Sequence, residues 1–249
     1  MKRAFDFCAA LAGLILLSPL LAVIACAVCL EDRHSPLFFG RRVAGSGGRR
    51  EHRYFHMVKF RTMIPDAWRT GVSSTAAGDQ RITRVGALLR RAKLDELPQL
   101  WNVVAGDMSL VGPRPQVEAD AAMYTPVERH MLDVRPGVTD LASIVFADEG
   151  DLLTGSSDPD LLYNQIIRPW KSRLALLYLE RRTLASDIRV ILLTLTGAFA
   201  RPAALAAIAT MLEAWHSDPQ LIRVARRAEP LEAFPPPGAD EVVRKYQVA

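Results

Sequence analysis

From Phe7 to Leu30 the chain carries no charged side chain, and beyond that run its apolar residues fall into short, patterned groups. A run of this length reaches the roughly 20 residues that a bilayer-spanning helix needs. Ser18-Pro19 interrupts it near the middle. Proline removes one backbone hydrogen bond and crowds the preceding turn, so a sharp bend is predicted there. Three placements compete. A straight span leaves Lys2 and Arg3 across the membrane from an Arg-rich domain; a bent helix re-enters its own leaflet and keeps both basic flanks on one side; Val23-Ile24-Ala25-Cys26 faintly resembles a lipoprotein cleavage site. The re-entrant form is favoured, because the run outlasts the roughly 7–15 residues of a leader core and both flanks are basic.

Leu37 to Val43 and Tyr54 to Phe60 read as strands joined by a flexible hairpin connection, Gly45-Ser46-Gly47-Gly48-Arg49-Arg50, which lacks the ending of a phosphate loop. Lys59 and Arg61 flank Phe60 and are predicted to share a strand face. Pro65 to Asp79 reads as a surface loop that sets Trp68 beside Arg69 at headgroup level. A helix is predicted over Thr83 to Arg91, with Val85, Leu88 and Leu89 inward and Arg84, Arg90 and Arg91 outward. Met108 to Val111 reads as a buried strand running into the rigid turn Gly112-Pro113-Arg114-Pro115. Helices follow over Ala119 to Asp133 and Leu161 to Leu184, with a fresh start allowed at Pro169. Asp187 to Ile191 opens another, and Ala203 to Trp215 one more. The tail with Pro235-Pro236-Pro237 reads as mobile or as a docking segment. The predicted fold class is α+β: a re-entrant anchor (residues 1–31), a small catalytic domain of short strands and amphipathic interface helices (32–200), and a helical extension with a tail (201–249).

The stretch Lys93-Leu94-Asp95-Glu96-Leu97-Pro98-Gln99-Leu100-Trp101-Asn102-Val103-Val104 is where chemistry concentrates. Two carboxylates precede an apolar run, and Pro98 suits a first helical turn. Asp95 is predicted as the helix N-cap and Glu96 as its first residue, where carboxylates and bound phosphates are both stabilised. An ionised Asp95 is a candidate nucleophile as well as an ordinary cap. Arg90, one turn earlier, and Arg114, on its rigid turn, are candidate phosphate ligands.

The 249 residues suffice for one substantial core. A net charge of +4, mostly from Arg, suits phosphate-bearing substrates or anionic lipid. No nucleic-acid-binding motif accompanies it, so nucleic acid is not expected as a partner. The three cysteines, Cys8, Cys26 and Cys29, all lie in the first apolar run, too few and too local for a disulfide framework and without a zinc spacing.

The ordered run Asp79…Arg81-Ile82-Thr83-Arg84-Val85-Gly86…Leu89-Arg90…Leu94-Asp95-Glu96-Leu97-Pro98-Gln99-Leu100-Trp101-Asn102-Val103…Gly106-Asp107-Met108-Ser109-Leu110-Val111-Gly112-Pro113-Arg114-Pro115 closely resembles the bacterial sugar transferases, the monotopic phosphoglycosyl transferases. Lys59-Phe60-Arg61-Thr62-Met63 and Val134-Arg135-Pro136-Gly137-Val138-Thr139 match too, and the resemblance covers roughly residues 2–197. It implies transfer of a sugar-1-phosphate from a UDP-sugar to polyprenyl (undecaprenyl) phosphate, with release of UMP. By the same resemblance Asp95 is the nucleophile and Glu96 a Mg²⁺ ligand. Lys59, Arg61, Arg90, Arg114 and Arg135 become substrate-binding candidates, Asp187 a weaker one, and Ser18-Pro19 marks the break of the membrane anchor. The implied setting is the cytoplasmic face of a bacterial inner membrane, with the bilayer and downstream glycosyltransferases as partners. Three departures stand out: Lys93-Leu94 before the acidic pair, Gly40-Arg41-Arg42 after the Phe-Phe pair, and Val138 to Phe146, a region tied to the sugar's identity. A membrane-bound nucleotide-sugar hydrolase and a non-catalytic docking module are the alternative readings.

Overall fold

The computed structural model of the chain describes residues 1–45, 53–70, 75 and 78–245. The first apolar run is a single helix, α1 (Lys2–Asp32), continuous through Ser18-Pro19. Pro19 offers no N–H to the Ile15 carbonyl four residues back, and the Ser18 hydroxyl donates to that carbonyl instead, at 2.8 Å. The pair therefore satisfies its own backbone and does not divide the run into two helices.

Both ends of α1 are tied to the rest of the chain. At the start, Lys2 donates to Asp187 (2.6 Å) and to the Val111 carbonyl, Arg3 to the carbonyls of Val103 and Val104, and Asp6 accepts from Ser109 Oγ at 2.7 Å. At the end, Glu31 accepts from the backbone N–H groups of Arg84 and Val85, and Asp32 takes a two-pronged ion pair from Arg61. Ala10, Ile24 and Val28 are buried between these ties, whereas Phe7, Ile15, Leu16, Val23 and Leu30 are exposed.

β1 (Leu37–Ala44) and β2 (Arg53–Phe60) form the predicted antiparallel hairpin, with Leu37 opposite Phe60 and Ala44 opposite Arg53. Its connection lies outside the described residues from Ser46 on, as does the side chain of Trp68 in the 3-10 turn Ala67–Thr70. α2 (Arg84–Arg91) starts where predicted, capped by Thr83 Oγ1, which accepts from Gly86 N at 3.0 Å. Its inner face is rolled from the expected one. A Cβ at Gly86 would sit 2.2 Å from the Thr62 carbonyl oxygen, so glycine lets α2 close onto the end of β2; Leu88 is then 66% exposed and Arg90 turns inward.

A 3-10 turn (Leu94–Glu96) precedes α3 (Gln99–Ala105). β3 (Ser109–Val111) pairs in parallel with β4 (Gly137–Thr139), three residues too short to announce themselves by alternation. The single helix predicted over 119–133 is instead α4 (Glu118–Ala122) and a 3-10 turn (Glu128–Asp133), because Pro126 cannot continue a helix and disfavours helix at the residue before it. The chain then forms α5 (Leu141–Val145), α6 (Glu149–Leu152), α7 (Pro159–Leu162), a π-helical turn (Tyr163–Ile167) and α8 (Arg168–Arg181), which begins beside Pro169 as predicted. A Thr183/Ser186 capping box opens α9 (Leu184–Phe199). α10 (Arg201–Ala214) and α11 (Pro219–Arg226) follow.

The main core gathers Leu141 and Val145 of α5, Leu174 of α8, Val190 of α9, Ile208 and Leu212 of α10 and Leu221 of α11. The C-terminal helices thus complete this core. The tail that follows, read as mobile or as a docking segment, touches the domain at several points. Phe234 stacks on Trp170 with ring centroids 4.6 Å apart, Thr125 Oγ1 donates to the Pro237 carbonyl, and Gln165 Nε2 donates to that of Val243 at 2.9 Å.

Candidate active site

Four local devices bring the charged residues together. Lys93, at φ 56°, reverses the chain after α2. Leu94 then anchors in the cluster of Ile24, Val28, Phe60 and Leu89, which ties the acidic pair to the second half of α1. Asn102 of α3 clips onto β2: its Oδ1 accepts from Val58 N at 2.9 Å and its Nδ2 donates to the His56 carbonyl at 2.8 Å. Finally β3 and β4 meet at two glycines. A Cβ on Gly137 would lie 2.1 Å from Gly112 N, so only glycine permits the approach that fixes the Pro113-Arg114 turn.

Glu96 Oε1 accepts from Lys59 Nζ at 2.9 Å and Arg114 Nη2 at 2.6 Å, and its other oxygen lies 3.4 Å from Arg114 Nη1. Burial pushes its carboxyl up, but the charges and hydrogen bonds of Arg114 and Lys59 outweigh it and hold Glu96 well below the usual range. Asp95 is 8% exposed and lies in none of the apolar clusters. Its carboxylate receives no hydrogen bond among the described residues. Burial first, and then the charge of Glu96, raise its pKa against the pull of Lys59, Arg90 and Arg114. Two adjacent carboxylates are therefore driven apart. One is pinned and holds its charge well into the acid range; the other is poorly solvated and has no hydrogen-bond partner among the described residues, a state that favours attack on an electrophile.

Asp95 is not the cap of α3, as predicted from the sequence. It sits inside the 3-10 turn, four residues ahead of the helix, and Pro98 takes the cap position without a side-chain bond. Arg90 donates to Thr62 Oγ1 at 2.8 Å; burial lowers its pKa, with Asp95 the largest charge acting the other way. Lys59, Arg90 and Arg114 thus gather around the acidic pair.

The other candidates do not. Arg61 lies past the end of β2, where the alternation that would have placed it beside Lys59 no longer holds, and it spends its guanidinium on Asp32 and the Ser35 carbonyl. Asp187 is 1% exposed and bonded to Lys2 and the Tyr178 hydroxyl, so it ties α1 to α9 rather than facing a substrate. Arg135 is exposed and makes no ion pair among the described residues. Conversely, Asn102 and Glu149, which pairs with Lys171, were not singled out. Asn102 falls within the family run, but its clip onto β2 joins it to residues 44 and 46 positions away, and Glu149 lies in no pattern that differs from an ordinary helix position.

For Mg²⁺, the donor set is two hard carboxylates; among the described residues Glu96 Oε2 makes only the 3.4 Å contact and Asp95 accepts no hydrogen bond. That fits an ion held by one or two carboxylates together with substrate phosphates. No cluster of three His, Cys, Asp or Glu residues exists among the described residues for an all-protein cage. Replacing Glu96 by glutamine leaves Lys59 and Arg114 short of an anion, and a loss of about 1–3 kcal/mol is expected. Because the folded-state pKa of Glu96 is depressed, this stability is present above its ordinary value of 4.5 and lost as pH falls through the folded value. Thermal unfolding in detergent should therefore show the gap between wild type and variant closing below about pH 4.5.

The sequence profile of a family described as bacterial sugar transferase matches residues 1–201. An undecaprenyl-phosphate glucose phosphotransferase of Komagataeibacter xylinus is 38% identical over 203 residues, covering 78% of this chain and 35% of that relative. A UDP-glucose:undecaprenyl-phosphate glucose-1-phosphate transferase of Xanthomonas campestris pv. campestris is 37% identical over 199 residues, 78% of this chain and 37% of the relative. The exopolysaccharide production protein ExoY of Rhizobium meliloti (strain 1021) is 41% identical over 160 residues, 57% of this chain and 68% of the relative. The chain spans little more than a third of the first two.

Proposed function

As the chain belongs to the bacterial sugar transferase family, we propose that it transfers a sugar-1-phosphate from a UDP-sugar to polyprenyl phosphate and releases UMP. The observation that carries this reading is Asp95: a carboxylate without a hydrogen-bond partner among the described residues, of raised pKa, beside Lys59, Arg90 and Arg114. One Asp95 oxygen attacks the phosphorus that bears the sugar, and the bond from that phosphorus to the bridging oxygen breaks, so UMP leaves with the electron pair. An oxygen of the lipid phosphate then attacks the same phosphorus, the acyl-phosphate bond breaks, and the Asp95 carboxylate returns. The sugar keeps its bond to phosphate throughout. Two displacements thus replace one difficult transfer.

Lys59 and Arg114, held by Glu96, and Arg90, held by Thr62, orient phosphate oxygens and offset their charge without reorganising. Glu96 is the residue that would hold Mg²⁺ here, and the ion would supply charge neutralisation on the diphosphate.

The anchor fits the lipid substrate. α1 is the one helix among the described residues long and apolar enough to cross a bilayer. Both its ends are bonded to one body, which supports a re-entrant placement, since a straight crossing would separate them by about 30 Å of hydrocarbon. Leu94 packs on α1 directly before Asp95, so the nucleophile lies beside the membrane segment, where a lipid phosphate is presented. On this reading the site belongs to the cytoplasmic face of a bacterial inner membrane, supported by the basic residues Lys2 and Arg3 at the start of α1 and the Arg-rich domain after it, with its product passing to further glycosyltransferases.

The test is UMP release from a panel of UDP-sugars with Mg²⁺, with and without undecaprenyl phosphate. Release that needs the lipid supports the transferase. Release indifferent to lipid identifies a hydrolase at the same carboxylates, and no release from any sugar leaves a docking module.

A further inference from the structure

Beyond Arg114 the site opens into a cleft whose other walls come mostly from parts of the chain that follow the acidic-pair motif. Asp140 and Ser143 at the start of α5, Tyr163 and Asn164 of the π-helical turn, and Lys171 of α8 face it together with Arg114. The walls are held from behind. Asp140 caps α5 by accepting from Ser143 N at 2.6 Å, and Asn164 accepts from Arg168 at 3.0 Å while donating to the Asp160 carbonyl at 2.8 Å. Gln165, in the same π turn, bonds the C-terminal tail on the outside. A π turn often marks a functional wall.

We propose that this cleft seats the sugar ring of the nucleotide-sugar, and that Asp140, with Ser143 and Tyr163, selects the sugar by its hydroxyls. The inference rests on the transferase reading above, and three observations point to the sugar rather than to the other groups of the reaction.

First, Arg114 belongs both to this cleft and to the Glu96 pair, so whatever fills the cleft is attached near the phosphorus that Asp95 attacks. Of the groups on that phosphorus, UMP leaves and the lipid phosphate arrives, whereas the sugar stays bonded through both steps. A cleft with braced walls suits the group that does not exchange. Second, α1 packs chiefly on α2, α3 and β3, none of which lines the cleft, so the lipid reaches phosphorus from another side. Third, the two tyrosines of the cleft already carry cations over their rings: Lys171 lies 5.3 Å from the Tyr163 centroid and Arg168 5.4 Å from that of Tyr124. One face of each ring is thereby taken by a cation of the fold, which leaves less room for a stacked uracil. The rest of the wall mixes apolar surface from Met131 and Ala142 with the polar groups of Asp140, Ser143 and Asn164, a combination that suits the faces and hydroxyls of a sugar ring, and a site built to bond a hydroxyl discriminates strongly against an analogue that lacks or misplaces it.

The ribose of UMP carries a diol too, and the experiment separates the two sources. Asp140→Asn keeps the helix cap, because asparagine caps as well as aspartate, but removes the charged acceptor; Tyr163→Phe removes only a hydroxyl. Each variant is assayed for kcat/KM on UDP-sugars that differ at one position, glucose against galactose and glucose against N-acetylglucosamine, with UMP as a competitive inhibitor. The expected result is a ratio between sugars altered about ten- to a hundred-fold, the range for losing a hydrogen bond to a charged group, with inhibition by UMP unchanged. Unchanged ratios with weakened UMP inhibition would give the cleft to the nucleotide and overturn the proposal, and so would no change in either. Should the wild type turn over no UDP-sugar, the transferase reading fails by itself. Calorimetry then decides the cleft: a gain in affinity of UDP-glucose over UDP that Asp140→Asn abolishes sustains it, and the absence of such a gain rejects it.

Discussion

Replacing Asp95 by asparagine is expected to reduce lipid-dependent UMP release by a factor of at least about 10³, the scale on which enzymes lose a nucleophile, while making the folded protein more stable at neutral pH. The loss follows because a carboxamide has no anionic oxygen to place on phosphorus. The gain follows from the raised pKa. A carboxyl that is harder to ionise folded than unfolded binds more protons in the native state between its ordinary value of 3.8 and its raised one, so stability falls as pH rises through that window, and the penalty is complete once the pH exceeds the raised value. Asparagine removes the charge and with it the penalty. Thermal unfolding in detergent, beside an assay of label retained on the protein after brief exposure to labelled UDP-sugar, checks both halves. A residue that served only the fold would lose stability on this change. The wild-type rate should also fall in acid as Asp95 takes up its proton, at a pH above that of an ordinary aspartate.

Glu128→Ala is expected to cost about 3–5 kcal/mol, the penalty for breaking a buried ion pair from one side, or roughly 6–20 °C in a domain of this size. Glu128 is fully covered and accepts from Arg168 at both Nε (3.1 Å) and Nη2 (2.5 Å), from Ser172 Oγ at 2.7 Å and from Thr125 N at 3.0 Å. Removing it strands the Arg168 guanidinium, itself 5% exposed, and frees the wall that holds Asn164. Glu128→Leu combined with Arg168→Met should lose less than Glu128→Ala, since apolar side chains of similar volume leave no buried charge unpaired. Thermal unfolding of the three proteins decides it; equal losses in single and double variants would show that packing, not charge, is what Glu128 provides.

Some of this molecule is written in local chemistry. Thr83 before α2, the hairpin of alternating strands, Pro169 at the head of α8 and the uncharged run of α1 each declare themselves through a cap, a period or a length, because those features act over a few residues. The acidic pair and Arg114 were visible for the same reason, as carboxylates beside a proline and a cation locked between two others. The family pattern strengthened both.

What neighbouring residues could not determine is where each charge would be spent. Arg61 and Lys59 are two residues apart, yet one reaches Asp32 at the end of α1 and the other Glu96, a division set by where β2 stops. Asp187 looked available and is consumed by Lys2, 185 residues away in sequence. Asp95 looked like a cap, yet burial in the fold raises its pKa against the pull of Lys59, Arg90 and Arg114, which arrive from β2, α2 and the turn after β3 and share no window of sequence with it. The cleft beyond Arg114 is likewise assembled from five separated stretches. Periodicity, caps and composition are set by covalent neighbours and so were legible in the chain itself; burial and ion pairing depend on which distant residues arrive at the same place, and only the packed structure decides that.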